Sequence, residues 1–174
     1  KIIVHITATP DDKDVVKAAT LGSFVQVDRE KVIGEGLIKE KILVQTKEDL
    51  KKHKGKDLDE VLLTLGMEKW QELADEFKTL GKDINPLMLI QLPNDDKELI
   101  AKGDKTKEEV VSQFLAAKSI KNRQIAKWFD RKKENLDFIA DNDSKVDYML
   151  FKQAAGTGWD CPRASVLVMF REIK

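Results

Sequence analysis

Tyr148-Met149-Leu150-Phe151-Lys152-Gln153-Ala154-Ala155-Gly156-Thr157-Gly158-Trp159-Asp160-Cys161-Pro162-Arg163 is the stretch that decides the fold. The apolar run Tyr148–Phe151 leads into it, and a second run, Ser165-Val166-Leu167-Val168-Met169-Phe170, leaves it. Two short β-type runs joined by a glycine-bearing turn predict buried strands of a parallel sheet, with a functional loop at their ends. Gly156 and Gly158 allow the backbone conformations closed to other residues, or a close approach to a ligand. Asp160 stands where a carboxylate could accept hydrogen bonds from a sugar hydroxyl or from a neighbouring domain.

The Gly-Thr-Gly does not make a dinucleotide fingerprint, which needs a third glycine and a helix opening on the pyrophosphate. Pro162, with no N–H to donate, fits an exit turn instead. On spacing alone, an ordinary tight turn between core strands is the simpler reading. The whole string from Phe151 to Lys174, however, resembles motif V of superfamily-two helicases. It is most similar to the form in the helicase (Res) subunit of type III restriction enzymes and related DEAD/DEAH-box proteins. The resemblance implies that Gly158 and Asp160 lie at a cleft between two motor domains, beside the nucleotide. It implies that Lys152, Gln153 and Arg163 lie nearer the nucleic-acid backbone. Many relatives carry threonine where this chain has Lys152, so a hydroxyl–phosphate contact is not expected there.

Two further strings resemble the same family. Ile2-Ile3-Val4-His5-Ile6 followed by Thr7-Ala8-Thr9-Pro10 is similar to motif III, a loop at the end of a strand in the first motor domain. The resemblance gives Thr7 and Thr9 the role of tying that domain's ATP-hydrolysing acid to the second domain. Asn85-Pro86-Leu87-Met88-Leu89-Ile90-Gln91-Leu92-Pro93-Asn94 reads as a buried strand bracketed by prolines. In the family it looks like the first core strand of the second motor domain. Gln91 and Asn94 then fall at the carboxyl edge of the sheet, where open α/β sheets bind ligands. Asn94 also suits the N-cap of a helix from Asp95 to Lys102, and one residue can do both.

Composition bounds these expectations. The chain of 174 residues carries 31 Lys and Arg against 31 Asp and Glu, so no global field draws it to nucleic acid or membrane. Any basic surface is local. No apolar run is long enough to span a bilayer and no signal peptide is seen. The single cysteine, Cys161, excludes an internal disulfide and fits a reducing cytoplasm. His5 and His53, the two histidines, are far apart, so no metal-ligand cluster can be read.

Between the motifs the pattern alternates strand with helix. Phe24–Val27 alternates like a strand, and Asp28–Ile38 resembles a short helix ended by glycine, in the crossover between motor domains. Lys41–Gln45 is the strand expected to enter the second domain. Asp57, with Glu60 three residues on, opens a long helical pattern that Gly81 stops and Gly66 is expected to break. Thr106-Lys107-Glu108-Glu109 is a capping box opening another helix. Lys118–Lys133 interleaves seven basic residues with Ile125, Trp128 and Phe129. It supports two readings: an outer helix whose charges sit in water, which we favour, and a nucleic-acid face. Leu136–Ala140 reads as a strand.

The expected architecture is therefore α/β: a RecA-like parallel sheet with helices on both faces. Residues 1–40 would be the end of a first motor domain and its crossover. Residues 41–174 would be the second domain, with a helical insertion at about 57–81, ending before motif VI. The function this implies is part of a nucleic-acid-dependent ATPase, a DNA translocase such as the restriction subunit of a type III system. ATP and Mg would be cofactors of the whole motor, DNA its substrate and a methyltransferase (Mod) subunit a possible partner. The catalytic parts are not in this chain: no Gly-x-x-x-x-Gly-Lys-Ser/Thr occurs, since Gly55-Lys56 and Gly81-Lys82 are both followed by aspartate. A non-catalytic α/β scaffold and a small nucleotide-binding enzyme with an unusual loop remain as alternatives.

Overall fold

The computed structural model describes residues 13, 16, 25, 27–36, 53, 55, 57–95, 104–152 and 159–170. The chain divides into two compact units, Lys1–Thr46 and Lys47–Lys174. In the first, the described element is helix α1 (Arg29–Gly34), whose C-cap is Glu35, with Gly36 beyond it at φ +71°. Val25 and Val27 are exposed and not in a strand. The expected strands Ile2–Ile6 and Lys41–Gln45 lie outside the described residues.

The second unit is built on a five-stranded sheet. Its strands are β1 (Leu87–Gln91), β2 (Ile125–Phe129), β3 (Lys132–Glu134), β4 (Tyr148–Phe151) and β5 (Ala164–Met169), in the spatial order β3-β2-β4-β1-β5. β1 runs parallel to both β4 and β5, β4 runs parallel to β2, and β3 is the antiparallel edge. The two runs that flank the glycine loop are thus strands of one parallel sheet, held apart by β1. Continuous apolar sequence is what such strands require, because both faces of a parallel sheet are covered.

Two helices cover one face: α2 (Leu58–Thr79) and α3 (Lys107–Ala117). Asp57 caps α2, accepting from the N–H groups of Asp59 (2.8 Å) and Glu60 (3.2 Å). The Thr106–Glu109 capping box is complete at α3: the Thr106 N–H donates to Glu109 Oε2 at 2.7 Å, and the Glu109 N–H to Thr106 Oγ1 at 3.2 Å. From the helices Leu63, Val111 and Leu115 pack on Met88, Ile90, Leu150, Val166 and Val168. α2 therefore contributes to the core of the sheet.

Gly66 does not break α2. It sits buried in mid-helix, where a Cβ would stand 2.6 Å from Val168 Cγ2 and 2.7 Å from Met88 Cε. The missing side chain is what lets the helix seat on β1 and β5.

The opposite face carries no helix among the described residues, and the expected helix Asp95–Lys102 lies, but for Asp95, outside them. Ile139, Val146 and Cys161 close it instead, packing on Leu87, Ala126, Met149 and Phe151. Leu136–Ala140 is a run of turns, not a strand: the N–H of Ile139 donates to Leu136 O (3.3 Å) and that of Asp141 to Phe138 O (3.1 Å). Phe138 stands at φ +56° with its ring exposed, so the chain reverses where a strand would have continued. Lys118–Lys133, expected as an outer helix, is a turn, a short 3₁₀ segment (Asn122–Gln124) and the β2–β3 hairpin.

Two outcomes test this packing. Gly66→Ala gains up to about 1 kcal/mol of helix propensity but overpacks a dry contact at a cost of about 1–3 kcal/mol. The packing term wins, and we expect Tm to fall by roughly 3–8 °C; an unchanged or higher Tm means the helix stands farther off the sheet. Tyr148, the single tyrosine, is buried on β4 with Trp70 5.7 Å away. Burial, aided by Asp147, pushes its phenol from 10.0 up to about 12. The phenolate absorbance of the native chain should rise with a midpoint near 12. The unfolded chain releases this proton first, so stability falls as pH climbs above about 10. A native titration at an ordinary tyrosine pKa would contradict the burial.

Candidate functional site

The topology itself locates a switch point, the position at which open α/β sheets form a crevice. After β1 the chain crosses on the α2/α3 face, through α3, to β2 beyond β4. After β4 it crosses on the other face, through Trp159 and Cys161, to β5 beyond β1. Right-handed crossovers that leave neighbouring strands in opposite directions must lie on opposite faces. The carboxyl ends of β1 and β4 are therefore the switch point, the place where open α/β sheets bind ligands.

Gln91 and Lys152 occupy that point. The half-buried Gln91 amide donates to Lys152 O at 3.4 Å, and the Leu92 N–H donates to Phe151 O at 2.8 Å, zipping the two strand ends together. The Lys152 ammonium is 2.6 Å from Asp95 Oδ2 and 5.5 Å from the centre of the Phe129 ring. Asn94 is exposed just before Asp95. Four expected or neighbouring polar residues, Gln91, Asn94, Asp95 and Lys152, thus gather at one edge. Asp95 and Phe129 were not singled out from sequence; the only signal for Asp95 is its place after the strand Leu87–Gln91.

Beside the switch point, Glu108 on α3 bonds Lys127 at 2.8 Å and Lys132 at 3.4 Å. Burial works to raise the Glu108 pKa, but the hydrogen bond and charge of Lys127, with Lys132, outweigh it and hold the carboxyl below its ordinary value. These lysines are already answered by a carboxylate. Arg131 and Lys133 at the hairpin are exposed.

Arg163 is the clear correction. Expected at the nucleic-acid face, it is 1% exposed and points into the amino half of the sheet. Its guanidinium donates from Nε to Ile139 O (2.7 Å), and through its two terminal amino groups to Asn85 O (2.7 Å) and Val146 O (2.9 Å). Burial lowers its pKa, opposed by Cys161, Asp147 and Asp141. Three of its five N–H groups are spent on backbone carbonyls, and its burial keeps the guanidinium away from the sheet edge. Cys161 lies beside it, its thiol pKa pushed up by burial against the pull of Arg163, and its Sγ is 3.8 Å from Ile139 O.

Asp160 is exposed, after Trp159, whose ring meets Trp128 edge-on at 5.9 Å. Thr7, Thr9, Gln153 and Gly158 lie outside the described residues. No group of three potential metal ligands occurs among the described residues, and none of their helices is long and apolar enough to cross a membrane.

Asp160 and Arg163, three residues apart, should answer substitution in opposite ways. Arg163→Ala strands three buried carbonyls and should cost on the order of 3–5 kcal/mol, a large share of a domain's stability. Asp160→Ala should shift stability by no more than about 0.5 kcal/mol, as for an ordinary surface site. Urea unfolding of the two variants decides it; equal losses would mean that Asp160 is a structural residue.

No protein-family model, curated protein or solved structure matches the chain, so the reading of this edge rests on its own residues.

Proposed function

We propose that Lys47–Lys174 is the second, RecA-like motor domain of a superfamily-two nucleic-acid-dependent ATPase, and that its carboxyl edge meets the phosphate backbone of a nucleic acid. One observation carries this reading: Lys152, the first residue after β4 in the motif V-like string, stands at the switch point beside Gln91 of the Asn85–Asn94 strand. Two strings singled out separately in the sequence meet at the place where this sheet architecture binds ligands.

The role assigned to these residues is positioning. Lys152 supplies a cation, while Gln91 and Asn94 supply amide donors to phosphate or sugar oxygens, contacts that fix register without reading sequence. Phosphoryl transfer needs a phosphate cradle, a metal-holding acid and a charge-neutralising arginine. The chain has no cradle motif and its Arg163 is buried against backbone carbonyls, so these residues do not fit a complete ATP–Mg site and no step of hydrolysis is assigned to them. ATP, Mg, the type III restriction system and its methyltransferase partner belong to this proposal as properties of a whole motor. Asp160, exposed on the same connection, is the candidate for coupling to the nucleotide.

A second reading has its own observation. The β2–β3 hairpin exposes Arg131 and Lys133, and Lys133 lies 5.9 Å from the Trp128 ring, a basic and aromatic combination that also suits single strands. Fluorescence anisotropy with a labelled single-stranded oligonucleotide separates the two. We expect Lys152→Ala to weaken binding at least threefold and to flatten the salt dependence by about one phosphate contact. The Arg131→Ala/Lys133→Ala pair should change affinity less than twofold. Loss confined to the hairpin variant would move the binding face there and overturn the crevice reading.

A further inference from the structure

We infer that Asp95 is a gate on this site: its carboxylate occupies the place beside the Lys152 ammonium that a phosphate oxygen would take, and an incoming phosphate must displace it. The inference rests on the nucleic-acid reading above for the identity of the ligand, but the gate itself is a property of the pair.

The geometry supports a displaceable contact. Lys152 Nζ is 2.6 Å from Asp95 Oδ2, a short charge-assisted bond. The pair is only partly withdrawn from water, with side-chain exposures of 21% for Lys152 and 41% for Asp95. A deeply buried pair could not be opened, and a fully exposed one would not hold. The 5.5 Å approach of the ammonium to the buried Phe129 ring gives Lys152 a second favourable contact that does not depend on Asp95. The lysine is therefore already placed when the carboxylate leaves, and a phosphate meets a cation whose ordering cost has been met. Asp95 also stands next to Asn94 and follows Leu92, which is bonded to the end of β4, so it lies on the same edge as the donors assigned to the ligand. While it stays there, its charge repels a second anion and competes for the first. Asp95 is thus a specificity-determining residue: it filters weak or lone anions and admits those with enough further contacts to displace it.

The test is a double-mutant cycle on the full chain, Asp95→Asn, Lys152→Ala and both together, read with a labelled single-stranded oligothymidylate and, separately, with inorganic pyrophosphate. A partly exposed ion pair costs its competitor about two- to fivefold. With repulsion also removed, we expect Asp95→Asn to tighten both ligands about threefold to tenfold. We further expect it to steepen the salt dependence for the oligonucleotide by about one contact. In the Lys152→Ala background the same change should give less than a twofold gain. An equal gain in that background would show that Asp95 acts only through its general charge, which overturns the gate. So would no gain at all with wild-type Lys152. A Lys152-dependent gain with pyrophosphate but no binding of the oligonucleotide by any variant would uphold the gate and overturn the nucleic-acid reading. Melting curves that match across the four proteins exclude a folding defect as the cause.

Discussion

Much of this fold depends on one guanidinium. Arg163 holds the carbonyls of Asn85, Ile139 and Val146, which belong to the approach to β1, to the turns that cover the helix-free face and to the approach to β4. No helix covers that face among the described residues, so its cover is irregular backbone, and irregular backbone brought inside carries carbonyls that need donors. A guanidinium offers five N–H groups in a fixed plane and can serve several at once. Burying its charge is costly, and Asp147 and Asp141 offset part of that cost from nearby. Asp147 is itself tied down, accepting from Asn85 Nδ2 at 2.7 Å and from Gln124 Nε2 at 2.6 Å. The amino edge of the sheet is thereby a closed polar network.

Where sequence predicted well, one simple periodicity governed the segment. Leu87–Gln91, Tyr148–Phe151 and Ala164–Met169 are apolar runs bounded by polar or turn residues, and buried strands require no more than that. The caps at Asp57 and Thr106 were legible because their chemistry is local. Lys118–Lys133 failed because lysines hid the alternation beneath: Ile125 and Phe129 face the helices while Ala126 and Trp128 face the other side. Asn135, at φ +53°, then pins the hairpin base by donating to Asn122 O and Ile125 O, a tertiary lock that no local pattern announces. Gly66 misled for a related reason: the same missing Cβ signals a helix break or a close approach, and only the strand beneath it decides.

The site was legible in part. Gln91, Asn94 and Lys152 were placed near a ligand edge by their positions after strands, and position after a strand is a backbone property that survives folding. Arg163 was placed there by its position flanking the loop of the motif V-like string, which does not specify the direction of its side chain. The alternation of buried Cys161, exposed Pro162 and buried Arg163 as the chain enters β5 appears only in the folded chain. Asp95 shares that position after a strand, but its pairing with Lys152, 57 residues distant, has no local signal.

The position of the switch point follows from chirality more than from any motif. β1 sits between β4 and β5, so each of the chains leaving β1 and β4 must pass over the other's strand to reach its next partner. The handedness rule sends one over the α3 face and the other over the Trp159 face. Because they part, the ends of β1 and β4 mark the switch point, and the described side chains at those ends lie there together. In this chain those residues are an amide, a lysine and the carboxylate that restrains it. The sheet's topology therefore sets where the switch point lies, and the residues just beyond Gln91 and Phe151 set its chemistry.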